Sequence, residues 1–144
     1  MTQLIKWSAK YNVGNFIIDH QHKRLVQLIN NLNEVVHQKT PSPDILEIYY
    51  QDVANYINFH FTTEENVMFT CHYSALAEHK VMHQNFKNAV NKLKQQTLDG
   101  QDPTGKKLCN FLKDWLLTHI AVEDQKIVNE LVEGDYLPSV RKLF

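Results

Sequence analysis

The stretch INFHFTTEENV, residues 57–67, carries two polar side chains where a helix of a globular protein normally places apolar ones. Ile57, His60 and Glu64 follow one another at steps of three and four residues, so an α-helix would present them on one face. Val67 continues that face. Burying an imidazole or a carboxylate there without a partner costs several kcal/mol. The stretch therefore predicts an amphipathic helix whose inward face holds polar groups that need a shared partner.

Apolar residues recur at the same helical spacing on both sides of this stretch. Glycine and proline, four of each, fall in the gaps between the periodic segments, which favours helices joined by short loops. The pattern predicts four helices, over about residues 20–37, 43–70, 75–97 and 103–131. Their expected inward stripes contain Leu25, Ile29, Leu32 and Val36; Leu46, Tyr49 and Val53; Leu76, Phe86, Val90 and Leu93; and Leu108, Leu112 and Trp115.

Local signals mark where these helices begin. Asp19 is the expected N-cap of the first helix, and Ser42 that of the second, followed by proline at the first helical position. Asp102 and Pro103 signal the start of the fourth helix. Residues 1–18 are expected to form an irregular arm with aromatic side chains that pack against the bundle: Trp7, Tyr11 and Phe16.

The simplest architecture for four such helices is an all-α, antiparallel up-and-down four-helix bundle with this irregular N-terminal arm. A length of 144 residues suits one domain, spanning residues 1–144, with a continuous core. No strand-like alternation competes with the helical pattern. The sequence therefore predicts a single bundle domain.

The composition excludes several classes of partner. The net charge is −1, with acidic and basic residues well mixed, so neither nucleic acid nor an anionic membrane is an expected partner. No apolar run suggests a signal peptide or a membrane span. Cys71 and Cys109 lack CxxC spacing and indicate no disulfide framework. We expect a cytoplasmic monomer without an obligate protein partner.

The eight histidines divide into two sets by their position on the predicted helices. A single inward histidine is more often a hydrogen-bonded core residue than a ligand, but five, together with Glu64, are not explained so easily. A shared cation would supply the partner that all of them need. We therefore predict a metal site in the bundle core. The inward histidines are His22, His60, His79, His83 and His119; those expected at the surface are His20, His37 and His72.

Asp124 is a further candidate ligand, and its distance from His119 is one residue too long for a regular helix. Counting from His119 at steps of three and four leads through Val122 to Lys126 and Asn129, which are polar. Counting from Asp124 leads instead to Ile127 and Leu131, which are apolar. A π-bulge provides such a one-residue slip and favours functional sites. We therefore predict a wide helical turn between His119 and Asp124.

Four pieces of this sequence together resemble the hemerythrins, specifically the single-domain bacterial hemerythrins. They are DHQH (residues 19–22), HFTTEE (60–65), HKVMH (79–83) and HIAVED (119–124). A lone HxxxE or HxxxH occurs by chance in many helices, but the four pieces in this order and spacing are highly specific. The resemblance extends from Trp7 to about Leu131 and thus covers nearly the whole chain.

This resemblance implies a non-haem diiron centre held by five imidazoles and two carboxylates. The two irons, as Fe2+ or Fe3+, would also share an oxo or hydroxo bridge. The implied ligands are His79, His83 and His119 for one iron, His22 and His60 for the other, and Glu64 and Asp124 as bridges.

Counting these ligands against two octahedral irons leaves one position open, on the iron with fewer histidines. Dioxygen binds at that position in the hemerythrins, so the resemblance implies reversible O2 binding, for storage, delivery or sensing, and not an enzyme. Histidine-rich ligation favours this over oxygen activation, because bundle oxygenases use mostly carboxylates. The apolar residues expected beside His22 and His60, where they would exclude water from the O2 pocket, are Leu25, Phe61, Trp115 and Leu116.

Two other classes of function stay open at this point. The same open position would serve a diiron peroxidase or a nitric-oxide reductase, although the sequence offers no obvious acid–base residue beyond the ligands. A binding protein with another purpose, such as iron storage or metal scavenging, is the second class.

Overall fold

The computed structural model describes residues 3–38, 42–100 and 105–133. Within these ranges the chain is helical, without a strand. A π-helical segment, His119–Asp124, joins the last two helices into one continuous rod. The helices are α1 (Phe16–Val36), α2 (Pro43–Thr70), α3 (Leu76–Leu98), α4 (Lys106–Thr118) and α5 (Gln125–Glu133).

Helices α1, α2 and α3, together with the continuous rod formed by α4, the π-helical segment and α5, form the predicted bundle. We call these four units rods. Helix α1 packs against α2 and α4, and α3 packs against the same two helices from the other side. Successive rods are joined by short connections and run antiparallel, so the all-α up-and-down fold is confirmed. No helix in the described part of the chain is long and apolar enough to span a membrane.

The first helix begins earlier than predicted, because Asn15 rather than Asp19 is its N-cap. The Asn15 side-chain oxygen accepts hydrogen bonds from the backbone N–H groups of Ile17 and Ile18, at 3.1 and 3.0 Å. Asp19 instead accepts from the backbone N–H of Val13, at 2.8 Å, and so ties the arm to the first turn of α1. Asparagine and aspartate are both favourable N-cap residues. The prediction of Asp19 as the N-cap was wrong because its carboxylate accepts a hydrogen bond from the arm instead.

The arm is fixed to the bundle by one buried amide. Asn30 on α1 accepts from the backbone N–H of Ile5 and donates to its carbonyl oxygen, both at 2.9 Å. Trp7 and Tyr11 pack on the core as predicted, and residues 9–11 form a 3-10 turn. Phe16 does not pack on the core: it is 80% exposed, because α1 already begins there and turns it outward, where its ring stacks on His20.

Two further differences concern the ends of the bundle away from the histidines. Helix α4 begins at Lys106, after Gly105 at φ +72°, rather than near residue 103; Asp102 and Pro103 lie outside the described residues. On α2 the inward tyrosine is Tyr50, which is 5% exposed, whereas Tyr49 is 37% exposed. Either tyrosine satisfies the three/four spacing, so the sequence pattern did not separate them. Ser42 occupies the N-cap position of α2 as predicted, but its side chain makes no capping hydrogen bond.

The apolar core has two parts, and they bracket the polar residues. The larger cluster runs along all the helices of the bundle; it includes Phe61, Phe86 and Ile120 and extends to Val128 on α5. A smaller cluster, which includes Val67, Ile127 and Leu131, lies further along α2 and α5. The segments between these clusters carry the inward histidines and carboxylates, which are therefore screened from water on both sides.

Candidate metal centre

Five histidines and two carboxylates converge in the middle of the bundle, and each is 0–3% exposed. Each of the four rods contributes at least one of them, from the apolar stripe that the sequence predicted. The three remaining histidines are at the surface, as expected. The converging residues are His22 on α1, His60 and Glu64 on α2, His79 and His83 on α3, and His119 and Asp124 at the two ends of the π-helical segment.

The π-helical segment confirms the predicted wide turn and explains how Asp124 reaches the centre. In a regular helix, residues five apart differ by about 140° around the axis and face different directions. A π turn, with i to i+5 hydrogen bonding, brings such residues onto one face. Asp124 is consequently fully buried beside His119, and Ile127 and Leu131 beyond it face the core.

Among the described residues, the potential ligand atoms fall into two groups that share Glu64. Within each group these atoms lie within 4.8 Å of one another. We name the two groups by their histidines. The three-histidine group is His79, His83 and His119, and the two-histidine group is His22 and His60. Asp124 lies with the two-histidine group as a further potential ligand.

Glu64 turns one carboxylate oxygen toward each group. Its Oε1 lies 2.8 Å from Nε2 of His60. Its Oε2 lies 3.2 Å from Nε2 of His83 and 3.3 Å from Nε2 of His79. The two oxygens of this carboxylate therefore face different sets of imidazoles.

Asp124 has the same arrangement on the opposite rod. Its Oδ2 lies 2.7 Å from Nε2 of His22, and its Oδ1 lies 2.8 Å from Nε2 of His119. Both carboxylates thus span the two histidine groups, and the five histidines face them through Nε2.

Several atoms in the centre need a partner that the protein does not supply. Nε2 of His60, Oε1 of Glu64 and Oδ1 of Asp124 are buried, and although each lies 2.8 Å from another group of the centre, none has the geometry of a hydrogen bond within the described part of the chain. Nε2 of His83 and Nε2 of His119 face each other at 3.4 Å, which requires a proton or a cation between them. Imidazole nitrogens and carboxylate oxygens suit iron and other first-row transition metals. The residues present therefore fit a metal centre.

The electrostatics lead to the same conclusion. Burial lowers the pKa of His22 and His119, but Asp124 and Glu64 beside them outweigh it and raise these pKa values to about 9 and about 10. Burial raises the pKa of Glu64, but the nearby histidines, His60 foremost, hold it well below its ordinary value. The pKa of Asp124 is likewise lowered. The carboxylates are ionised and attract positive charge into the bundle core.

Two contacts beyond these seven residues were not predicted from the sequence. Gln21 lies 2.6 Å from Nδ1 of His60, and Glu65 lies 2.9 Å from Nδ1 of His83. Gln21 is 39 residues from its partner and Glu65 is 18 residues from its own. Each stands next to a candidate ligand in sequence, but nothing in one sequence pairs it with a histidine of another helix.

The four residues predicted as walls of an O2 pocket surround one small cavity, of about 10 Å³, between α1, α2, α3 and α4. The ring of Phe61 stacks on His83 with centroids 3.7 Å apart, and Trp115 stacks on His119 at 4.3 Å. The aromatic walls therefore stack on the three-histidine group, whereas they were expected beside His22 and His60; on that side Phe61 approaches the ring of His60 with centroids 6.1 Å apart. The lining residues are Leu25, Phe61, Trp115 and Leu116, with Ile29, Ile57, Phe86 and Leu112.

A four-helix bundle whose core joins imidazoles to ionised carboxylates defines a helical metal-binding protein. The hemerythrin HHE cation binding domain matches residues 13–131 of this chain. The chain therefore belongs to the hemerythrin family.

Individual relatives agree with this assignment. The chain is 30% identical to a bacteriohemerythrin of Pseudomonas aeruginosa (strain LESB58), over 96% of this chain and 95% of the relative. It is also 30% identical to a hemerythrin of Sipunculus nudus, over 87% of this chain and 92% of that hemerythrin. A crystal structure of a hemerythrin point mutant superposes with a TM-score of 0.74 at 23% identity, over 86% of this chain and 94% of that chain, and has the same fold.

Proposed function

We propose that the centre holds two iron ions, one at each histidine group. The observation that carries this proposal is the orientation of the two carboxylates. Glu64 and Asp124 each turn one oxygen toward each group, which is the arrangement expected of bridges between two cations. A single ion would not need both groups. The proposed ligands are the three-histidine group for one iron, the two-histidine group for the other, and the two carboxylates, with an oxo or hydroxo group, for both.

We propose that this iron pair binds O2 reversibly, as the names of the bacteriohemerythrin and hemerythrin relatives suggest. When bound, the iron pair supplies the electrons that reversible O2 binding requires. The protein contributes a dry compartment: the apolar cavity has little room for water, and Phe61 and Trp115 cover the imidazoles of His83 and His119. Excluding water and protons favours release of O2 over its irreversible reduction.

The cavity also bears on the enzymatic alternatives, a diiron peroxidase or a nitric-oxide reductase. Its described lining residues are all apolar or aromatic and offer no group to donate or accept a proton during turnover. This favours a carrier over an enzyme. Steady-state assays with hydrogen peroxide or NO and a supplied reductant test the alternatives directly, because a carrier consumes neither at a sustained rate.

Metal analysis tests the stoichiometry. Anaerobic loading with Fe2+ should give two irons per chain, and O2 titration should end at one O2 per two irons. His119→Ala should lose iron, because it removes a proposed ligand, whereas His20→Ala should retain both ions, because His20 is exposed on the helix that carries His22. One iron per chain, iron stored in larger amounts, or equal iron loss in the two variants would contradict the proposal.

A further inference from the structure

Two of the inward histidines use their second ring nitrogen to contact side chains outside the proposed ligand set. Nδ1 of His60 lies 2.6 Å from Oε1 of Gln21, and Nδ1 of His83 lies 2.9 Å from Oε2 of Glu65. Because an amide oxygen and a carboxylate oxygen can only accept, Nδ1 of each ring carries a proton and donates a hydrogen bond to them. Gln21 and Glu65 therefore fix the tautomer and the orientation of the two rings.

These contacts are selective. Nδ1 of His22 and Nδ1 of His79 are also buried, yet neither has a hydrogen-bond partner in the described part of the chain. A side-chain acceptor behind the ring is thus not shared by all the inward histidines. One of the two acceptors serves the two-histidine group, through His60, and the other serves the three-histidine group, through His83.

The two acceptors differ in charge. The amide of Gln21 is neutral and buried, whereas Glu65 offers a carboxylate whose side chain is 25% exposed. A hydrogen bond to a charged acceptor is stronger than one to a neutral acceptor and draws the Nδ1 proton further from the ring. The imidazole of His83 consequently becomes a stronger electron donor at Nε2 than the imidazole of His60.

We propose that Glu65 and Gln21 are positioning residues that make the two metal positions electronically unequal. Glu65, acting through His83, stabilises the higher oxidation state at the three-histidine group. Gln21, acting through His60, orients its ring without adding negative charge, so the two-histidine group favours the lower oxidation state. This inference rests on one part of the proposed function, namely that a metal ion binds at each histidine group; it does not require reversible O2 binding.

A pair of isosteric charge exchanges tests the inference. Glu65→Gln removes the charge behind His83, and Gln21→Glu adds one behind His60, while each keeps an oxygen acceptor. We expect the midpoint potential of the iron pair, measured by spectroelectrochemistry, to become more positive in Glu65→Gln and more negative in Gln21→Glu. Glu34→Gln, which removes an exposed carboxylate from α1, is the matched control and should leave the potential unchanged.

A second measurement needs neither iron nor O2. In protein loaded with Zn2+, the NMR resonance of the His83 Nδ1–H proton should move upfield in Glu65→Gln, and that of His60 should move downfield in Gln21→Glu. Glu65→Ala should weaken Co2+ binding by about 10–100-fold, as is usual when the partner of a ligating histidine is removed. If the potentials and the Nδ1–H resonances shift as expected but the protein does not bind O2 reversibly, the proposed function is contradicted and the inference about Glu65 and Gln21 is not.

The inference is overturned by potentials that move in the same direction in the two exchanges, or that do not move while iron is retained. Unchanged Nδ1–H resonances in the Zn2+ protein would overturn it independently. A merely structural role predicts lower thermal stability in both variants without opposite shifts in potential.

Discussion

At the scale of single residues, His22 and His119 show how burial and charge compete in this centre. Burial lowers their pKa values, yet the ionised Asp124 and Glu64 raise them to about 9 and about 10. Protons on these two imidazoles therefore take the place of the metal charge in the metal-free protein. The stability that they contribute is fully present below pH 6.5 and is lost as the pH rises through 9 to 10.

Metal binding should release these protons, because a cation and a proton compete for the same Nε2 lone pair. We expect the affinity of the metal-free protein for Fe2+ to rise with pH until these pKa values of about 9 and about 10 are passed, with proton release accompanying binding below them. Anaerobic calorimetry in buffers with different ionisation enthalpies measures the number of protons. An affinity independent of pH, with no proton release, would show that the imidazoles are already neutral.

Trp115 carries the second prediction at this scale, because it both lines the cavity and stacks on His119. Trp115→Ala should leave the iron content intact, since the indole is not a proposed ligand, but should speed autoxidation several-fold by admitting water. Trp7→Ala, in the arm, is the control with the same loss of aromatic volume. Equal autoxidation rates in the two variants, measured from the decay of the O2 adduct's absorption, would remove the role assigned to the cavity wall.

At the scale of elements, the π-helical segment shifts the inward-facing positions of the fourth rod by one residue between α4 and α5. His119 and Asp124 both face the centre only because this wide turn adds one residue between them. Beyond the turn, Ile127 and Leu131 return to the apolar core. The segment thus combines a pair of potential ligands with an uninterrupted hydrophobic stripe.

Deleting Ala121, which is exposed in the π segment, should convert the wide turn into a regular α-helical turn. The two potential ligands would then be four residues apart on one face, and the apolar stripe beyond them would keep its register. We expect cooperative thermal unfolding to persist. Deleting Gln84, which is exposed in the regular helix α3, should cost more stability because it rotates one end of α3 by about 100°. The reverse order of melting temperatures would contradict this account.

The helices and the converging residues could be predicted from the sequence because both are visible in the spacing of apolar and polar residues along a single helix. A polar residue on an apolar stripe is visible in one helix, as at His60, and the register slip at Asp124 is visible from its neighbours. The choice between Asn15 and Asp19 as N-cap leaves no such signal, because it depends on where the arm folds. Gln21 is a similar case, since its partner belongs to another helix.

At the scale of the whole molecule, the centre ties all four rods together between two apolar clusters. Without metal, buried donor and acceptor atoms in this region lack partners. A bound cation that contacts residues of every rod would stabilise the native bundle relative to the unfolded chain.

Removing the metal should therefore lower the melting temperature. A loss of several kcal/mol in the free energy of unfolding corresponds to about 10 °C or more for a domain of this size. Circular dichroism melts of iron-loaded and chelator-treated protein, both anaerobic, measure the difference. Equal melting temperatures would mean that the metal does not contribute to holding the rods together.

The measurement that tests the central claim most directly is repeated oxygenation of the reduced, iron-loaded protein, followed by visible absorption. We expect the colourless protein to develop an absorption band on exposure to O2, to lose it under argon, and to repeat this over several cycles with two irons still bound. A band that forms once and does not reverse, or sustained consumption of O2, peroxide or NO with added reductant, would contradict reversible O2 binding.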